Sequence, residues 1–276
     1  MDGREFPFTQ KDFKFLSRTI NERTGIVVSD DKFNMFYSRL SRRLRALKLT
    51  SFKEYCEIVK NDKDGSETIE LTNAITTNLT AFFRENHHFE FLADTVIPQA
   101  VQQNKDRTFK IWSAGCSTGE EPYSLAMTLR ESRHLTPQWK IDFSATDLDS
   151  NVVKQAQNGI YAESRVEGMS RSRLQQWFLK GKGSRQGMVK VKPELTRMIE
   201  FGQLNLMDNW KVEPKDVIFC RNVIIYFNKE TKERLVDKYA DSLKPGGYLF
   251  IGHSESLYKI TDRFELIGKT IYRKIK

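Results

Sequence analysis

Residues 108–129, TFKIWSAGCSTGEEPYSLAMTL, decide the fold. Phe109, Ile111 and Trp112 mark a strand of apolar β-formers. A turn of small residues follows, Ala114-Gly115-Cys116-Ser117-Thr118-Gly119. The period then becomes helical, with Tyr123, Leu125, Ala126, Met127 and Leu129 placed to line a packed face. Strand, glycine turn and helix together form the unit by which an α/β domain offers a ligand site at a helix start. The two glycines suit a turn that needs open dihedrals and lets a ligand approach the backbone. The turn carries Glu120 and Glu121 where a phosphate site would carry a lysine, so its charge favours a ligand with a cationic end. An ordinary strand-to-helix turn, with acids complementing the helix dipole, accounts for the same residues at this point.

A chain of 276 residues, 39% hydrophobic and 12% aromatic, has material for one large core or two smaller ones. No run approaches the ~18 apolar residues of a membrane span. The start, MDGREFPFTQ, lacks the apolar segment of a signal peptide. Three scattered cysteines, Cys56, Cys116 and Cys220, predict free thiols in a reducing cytoplasm. They form no metal-ligand spacing with His87, His88, His134 or His253, so no metal is expected. The formal charge of +9 points to an acidic partner, whether nucleic acid, an anionic membrane surface or an acidic protein.

Working outward, residues 10–85 read as helical, with no proline. Phe13, Leu16 and Ile20 keep helical spacing and Gly25 is a stop. A helix over Asp31–Leu49 carries the apolar stripe Phe33, Phe36, Leu40, Leu44 and Leu47. Its other side holds Arg39, Arg42 and Arg45, flanked by Arg43 and Lys48, with no acid among residues 38–48. That face reads either as a solvated surface or as a docking surface for an acidic partner. Further helices are expected over Ser51–Lys60 and Glu67–Thr76. Residues 76–92 join this region to the α/β part. There Asn78, Thr80 and Arg84 stand among Leu79, Phe82 and Phe83, as in a pocket wall, or Thr80 and Glu85 cap a helix.

Beyond the central stretch, strands are expected at Ile141–Ala145 (ending in Asp147), Phe201–Leu204, Asp216–Cys220 and Tyr248–Ile251. Phe264–Lys274 reads as a closing hairpin turned at Gly268. Helices fall at 151–157 and 229–243, the latter stopped by Lys244-Pro245-Gly246-Gly247. This alternation predicts a mostly parallel sheet covered on both faces. Residues 160–200 break it with a polar loop carrying Gly181, Gly183 and Gly187, then the alternating strand Met188–Lys192. That reads as an inserted antiparallel unit. The carboxyl ends of the strands would gather Glu120, Glu121, Asp147, Asn205, Leu206, Arg221, Asn222 and Tyr226. Asp147 is placed for ribose hydroxyls, yet it follows Gly119 by 28 residues and G-x-G-x-x-G is absent. S-adenosylmethionine, which has an adenosine, an ammonium and a sulfonium but no phosphate, fits such a set.

Together NAITTNLTAFFRENHHF (73–89), SAGCSTGEEPYSLA (113–126), ATDLD (145–149), CRNVIIYF (220–227), LKPGGYLFIGHSES (243–256) and the glycine-rich insert make the chain resemble the CheR-type chemotaxis receptor methyltransferases. The resemblance spans nearly the whole length. It implies a Rossmann-like methyltransferase domain with a seven-stranded, mostly parallel sheet over residues 86–276, interrupted by a β-subdomain at about 160–200. A small all-helical domain with its linker would occupy residues 1–85. It implies that a cytoplasmic, monomeric enzyme methylates receptor glutamates from S-adenosylmethionine, leaving S-adenosylhomocysteine. Ligand positions carry over to Asn78, Thr80, Arg84, Glu121, Asp147, Asn205, Leu206, Arg221, Asn222 and Tyr226. Arg84 and Tyr226 would serve the reaction, although an ion-paired cap and a core tyrosine explain them too. Ser117 replaces the middle glycine of the general methyltransferase turn, and Ser113 stands where that pattern has an acid. Glu120 or Glu121 would then meet the cofactor's amine.

The partners implied are the methylation helices of receptors, facing Arg39, Arg42, Arg43 and Arg45, and a receptor C-terminal pentapeptide at Gly181, Gly183 and Gly187. A nucleic-acid methylase is disfavoured: Arg221-Asn222-Val223-Ile224-Ile225-Tyr226 is not the Asn/Asp-Pro-Pro-aromatic pattern, and no stacking platform is evident. A binding module that has lost its chemistry is disfavoured by the intact ligand set.

Overall fold

Apolar stripes near the N-terminus demand a shared interior, and four helices supply it. In the computed structural model, which describes residues 4–276, they are α1 (Gln10–Thr24), α2 (Phe33–Leu47), α3 (Phe52–Lys60) and α4 (Ser66–Ile75). Thr9 and Asp12 form a capping box at the start of α1, and Gly25 ends it with φ 73°. Phe13, Leu16 and Ile20 of α1 share one core with Phe36, Leu40 and Leu44 of α2 and with Phe52 and Tyr55 of α3. The helix expected over Asp31–Leu49 opens as a 3-10 turn, Asp30–Lys32, and stops at Leu47 because Lys48 turns left-handed.

The basic face of α2 is less bare than its sequence implies. Arg39 donates to the carbonyls of Ile75 and Thr76 at 2.6 and 2.7 Å, closing the end of α4. Arg43 makes a forked pair with buried Glu67, and Arg45 one with exposed Glu5. Arg42 alone of the four is exposed with no ion pair among the described residues. The answering acids were invisible in the local window because they lie at positions 5 and 67.

Seven strands form the main sheet: β1 (Thr108–Ala114), β2 (Lys140–Asp147), β6 (Glu200–Gln203), β7 (Lys215–Cys220), β8 (Leu243–Ile251), β9 (Phe264–Gly268) and β10 (Ile271–Lys274). Their order is β6-β2-β1-β7-β8-β10-β9, parallel except for the pairings of β10. The winding reverses between β1 and β7, and that switch point fixes where a ligand can lie. On the faces run α5 (His87–Phe91), α6 (Ile97–Gln103), α7 (Glu120–Glu131), α8 (Ser150–Asn158) and α11 (Lys229–Asp241). Between α8 and β6 comes the insert: β3 (Ile160–Ala162), α9 (Arg171–Trp177), β4 (Phe178–Lys180), β5 (Met188–Val191) and α10 (Pro193–Thr196). Its three strands form an antiparallel sheet, β3-β5-β4, as expected from the alternation.

Two expectations need correction. Lys244-Pro245-Gly246-Gly247 does not lie outside the sheet; it is the first half of β8. A register irregularity between Lys215 and Val217 of β7 gives room to the proline, which has no N–H to donate. The linker assigned through residue 85 divides earlier. One compact unit reaches to Thr77 and includes Tyr226–Thr231; the other holds Asn78–Ile225 and Lys232–Lys276. Asn78 and Phe83 hydrogen-bond to Asp149 and Ser124 of the second unit, so residues 78–85 belong with it.

Arg43→Ala leaves buried Glu67 without its fork and is expected to lower the stability of the chain by about 1–3 kcal/mol. Arg42→Ala should stay within about 0.5 kcal/mol of wild type. Urea denaturation followed by circular dichroism measures both.

Candidate functional site

Three strand ends of the second unit, from β1, β2 and β7, converge at the switch point. After β1, the chain reverses through Gly115 and Gly119, both near φ 100°, and through Ser117 at φ 48°. A Cβ on Gly115 would meet Val223 at 2.4 Å, and one on Gly119 would meet the Tyr161 hydroxyl at 2.7 Å. The space beside these glycines is therefore filled by protein, where the sequence reading gave it to a ligand. Four of the turn's N–H groups are taken as well. Gly115 and Cys116 donate to the Thr146 carbonyl, Ser117 to the Asp147 carboxylate at 2.8 Å, and Gly119 to the Cys116 carbonyl. The acids that follow, Glu120 and Glu121, would repel a phosphate.

Those acids have different surroundings. Glu120, fully buried, pairs with Arg165 of the insert and accepts from Thr118. Glu121 accepts from the Ser113 hydroxyl at 2.8 Å and from Arg221 Nη1 at 3.0 Å. Burial pushes its carboxyl above the usual range, against the pull of Arg221 and Ser113. Asp147, at the end of β2, accepts from the N–H groups of Ser117 and Asp149, and burial lifts its carboxyl to about 6. Asp149 receives the Asn78 amide at 2.9 Å, and the Asn78 carbonyl accepts from Ser117. The Thr80 carbonyl accepts from Arg165 at 2.7 Å.

Arg221, buried at the end of β7, is shared by Glu121 and Glu85, the latter at 3.1 Å, and also donates to the Arg84 carbonyl. Its Nε is buried without an acceptor. Asn222 (φ 58°) is held through its N–H by Glu255, which also takes the N–H groups of Ile225 and Gly252. Arg84 lies half-buried, its Nη1 on the Leu79 carbonyl at 2.9 Å. Phe82 and Phe83 pack against the domain core. Phe82 packs edge-on to Tyr161 and Phe178, Phe83 to Phe89, with Arg173 over its ring. Asn205 and Leu206 follow β6, where Leu204 N–H bonds to the Asp147 carbonyl.

The comparisons agree with this architecture. A profile described as "CheR methyltransferase, all-alpha domain" matches residues 11–76, and one described as "CheR methyltransferase, SAM binding domain" matches residues 78–273. The chain belongs to the CheR methyltransferase family. The chemotaxis protein methyltransferase of Escherichia coli (strain K12) is 41% identical over 263 residues, covering 94% of this chain and 89% of that one. Chemotaxis protein methyltransferase 2 of Pseudomonas aeruginosa (strain PAO1) is 42% identical over 273 residues, 98% of this chain and 95% of that one. S-adenosylmethionine is thus the cofactor of the second unit.

The residues fit that group. A turn flanked by two acids suits a ligand that has an ammonium and a sulfonium and lacks phosphate. A half-buried carboxylate at the end of β2 suits ribose hydroxyls, and the unpaired Arg221 Nε suits a carboxylate. The contacts above join Asn78 to Asp147 through Ser117 and Asp149, Thr80 to Glu120 through Arg165, and Arg84 to Glu121 through Arg221, while Asn222 is held by Glu255. Tyr226 takes part in none of these contacts; it groups with the helical unit, where its carbonyl accepts from Val27 N–H at 2.8 Å. Sequence reasoning passed over Asp149, Arg165 and Glu255, and read Glu85 only as a possible helix cap. Glu85, Asp149 and Glu255 do lie inside the quoted family motifs. Cys116 and Cys220 are buried thiols with pKa values pushed up by burial, inert core residues. No group of residues able to hold a metal exists among the described residues.

A ribose hydroxyl donating to Asp147 favours its ionised form. Affinity for S-adenosylhomocysteine is therefore expected to be full above pH about 6 and to weaken as pH falls below it. Calorimetric titrations from pH 5 to 8 test this: Asp147→Asn should flatten the profile, and Asp147→Ala should cost about 1.5–3 kcal/mol at pH 7.5.

Proposed function

We propose that this CheR methyltransferase moves the methyl group of S-adenosylmethionine onto glutamate side chains of chemoreceptors, forming the methyl esters of sensory adaptation. The observation that carries the reading is the phosphate-refusing turn beside the buried Glu121–Arg221–Glu85 chain, inside a matched S-adenosylmethionine-binding domain.

When bound, the cofactor supplies an electrophilic methyl carbon. Asp147 holds the ribose, Glu121 or Glu120 faces the amine, and Asn78, Thr80, Asn205, Leu206, Arg221 and Asn222 complete the enclosure. Because both acids already have an arginine partner, each presents a partly neutralised carboxylate. The acceptor glutamate, with an ordinary pKa near 4.3, is an anion at neutral pH and needs no general base. What remains is positioning and exclusion of water. Arg84 steers the acceptor carboxylate. No helix of the described residues is long and apolar enough to cross a membrane, and the enzyme meets its receptors from the cytoplasm, as a monomer.

Two surfaces serve the receptor. On α2, Arg43 and Arg45 are paired with carboxylates and Arg39 is held by carbonyls within their own unit, so Arg42 leads the contact with acidic methylation helices. Such pairing raises encounter rates and weakens with salt. In the insert, Gly183 and Gly187 hold left-handed φ values of 59° and 82° with open space around them. Gly181 lies against the Arg185 carbonyl in the same hairpin. β3 and β4 each keep one unpaired edge within the three-stranded sheet, and an extended receptor tail can add there as a further strand. A tether of this kind works at up to ~1 mM effective concentration for a short linker.

Labelled cofactor should deliver base-labile methyl groups to a receptor cytoplasmic fragment and none to RNA. Arg84→Ala should depress turnover by about 10²-fold with little change in melting temperature. Turnover within a few-fold of wild type, or label in RNA, would remove this assignment. Separately, a synthetic tail ending in an aromatic-containing pentapeptide should bind wild type. A Gly183→Val, Gly187→Val double mutant should bind at least tenfold more weakly by calorimetry.

A further inference from the structure

The turn that presents Arg84 adopts a backbone its own residues disfavour. Phe83 has φ 52° and Glu85 φ 57°, so both neighbours of Arg84 occupy the left-handed region. A bulky aromatic side chain is rare there, and such a conformation persists only where surrounding groups over-determine it. Four contacts do so. Phe83 N–H donates to the Ser124 hydroxyl of α7 at 2.9 Å. Arg221 donates to the Arg84 carbonyl itself. The Glu85 carboxylate pairs with Arg221 at 3.1 Å on its buried side and with His253 at 3.0 Å on its exposed side.

Glu85 is therefore the link between Arg84 and the cofactor side. Arg221 spends one nitrogen on Glu85 and the Arg84 carbonyl, and the other on Glu121, which rests on Ser113 at the end of β1. The carboxyl of Glu85 stays ionised for this task. Burial raises its pKa, but Arg221 and His253 together hold it down to about 2. A buried ion pair is weak evidence for stability, since its desolvation offsets most of its attraction. What this pair does achieve is geometric: it fixes the residue next to Arg84 in a strained conformation against a buried guanidinium.

We propose that Glu85 is a positioning residue for methyl transfer, acting through Arg84 by clamping its turn to Arg221. It does not touch the reacting atoms. The inference rests on the reading of Arg84 as the residue that steers the acceptor.

The test is a double-mutant cycle on the full chain with a receptor cytoplasmic fragment, using Glu85→Gln, Arg84→Ala and the pair. Glu85→Gln keeps the reach of the side chain and removes its charge. It is expected to lower kcat by about 10–100-fold, the scale of a small misplacement. The Kd of S-adenosylhomocysteine should stay within about threefold. In the Arg84→Ala background the same change should alter kcat by less than about twofold, because the two residues act as one unit. Equal losses in both backgrounds, or a lowered melting temperature with kcat intact, would overturn the proposal. Should Glu85→Gln not fold, Glu85→Asp retains the charge and shortens the reach by one methylene. It is then expected to cost kcat at least about fivefold, and unchanged turnover would overturn the proposal. The two readings separate cleanly. Full turnover in Arg84→Ala removes the role of Arg84 and this inference with it. A disabled Arg84→Ala beside a fully active Glu85→Gln removes this inference alone.

Discussion

A single buried guanidinium organises the second unit. Arg221 sits at the end of β7 where water cannot reach, and an isolated charge there would be untenable. Two carboxylates answer it, Glu121 from the start of α7 and Glu85 from the segment before α5. Each tie crosses a different boundary of the fold. Glu121 binds β7 to the β1–α7 turn, and Glu85 binds β7 to the residues that enter the domain. Ser113, Ser124 and the Arg84 carbonyl then take fixed places around these three charges. Displacing any one of them leaves a buried charge with too few partners, so the elements are mutually dependent.

The same economy governs the glycine turn. In a nucleotide-binding domain the turn keeps its N–H groups free for phosphate. Here Asp147 and the Thr146 carbonyl take those of Gly115, Cys116 and Ser117, and Val223 and Tyr161 occupy the space that the missing side chains leave. The turn is rimmed with acids. Charge sign is what separates this site from its dinucleotide-binding relatives in shape.

The insert is tied to that turn as well. Tyr161 of β3 donates to the Thr118 carbonyl at 2.7 Å, and Arg165 reaches both Glu120 and the Thr80 carbonyl. A segment that breaks the strand–helix alternation therefore neutralises one of the site's two acids. It also supports the residues leading to Arg84.

What the sequence by itself determined was the order and kind of the elements: periods of hydrophobicity, Gly25 as a stop, the alternating Met188–Lys192 strand, the hairpin at Gly268. These signals are local, set by which side chains must leave water within one turn or one pleat. The site set at the strand ends was legible too, through motifs whose residues stand side by side. Only the tertiary structure decided which of those residues hold one another. Glu121 and Arg221 are 100 positions apart, Glu85 and His253 168, Arg43 and Glu67 24. A charge shows no preference for a distant partner until the fold removes water from both. For that reason the arginine face of α2 read as bare, and Glu85 read as a possible cap. The Lys244–Gly247 stretch read as a stop because its turn residues are a local signal. Pairing with β7 overrode it, since an irregular register spared the proline the N–H it lacks.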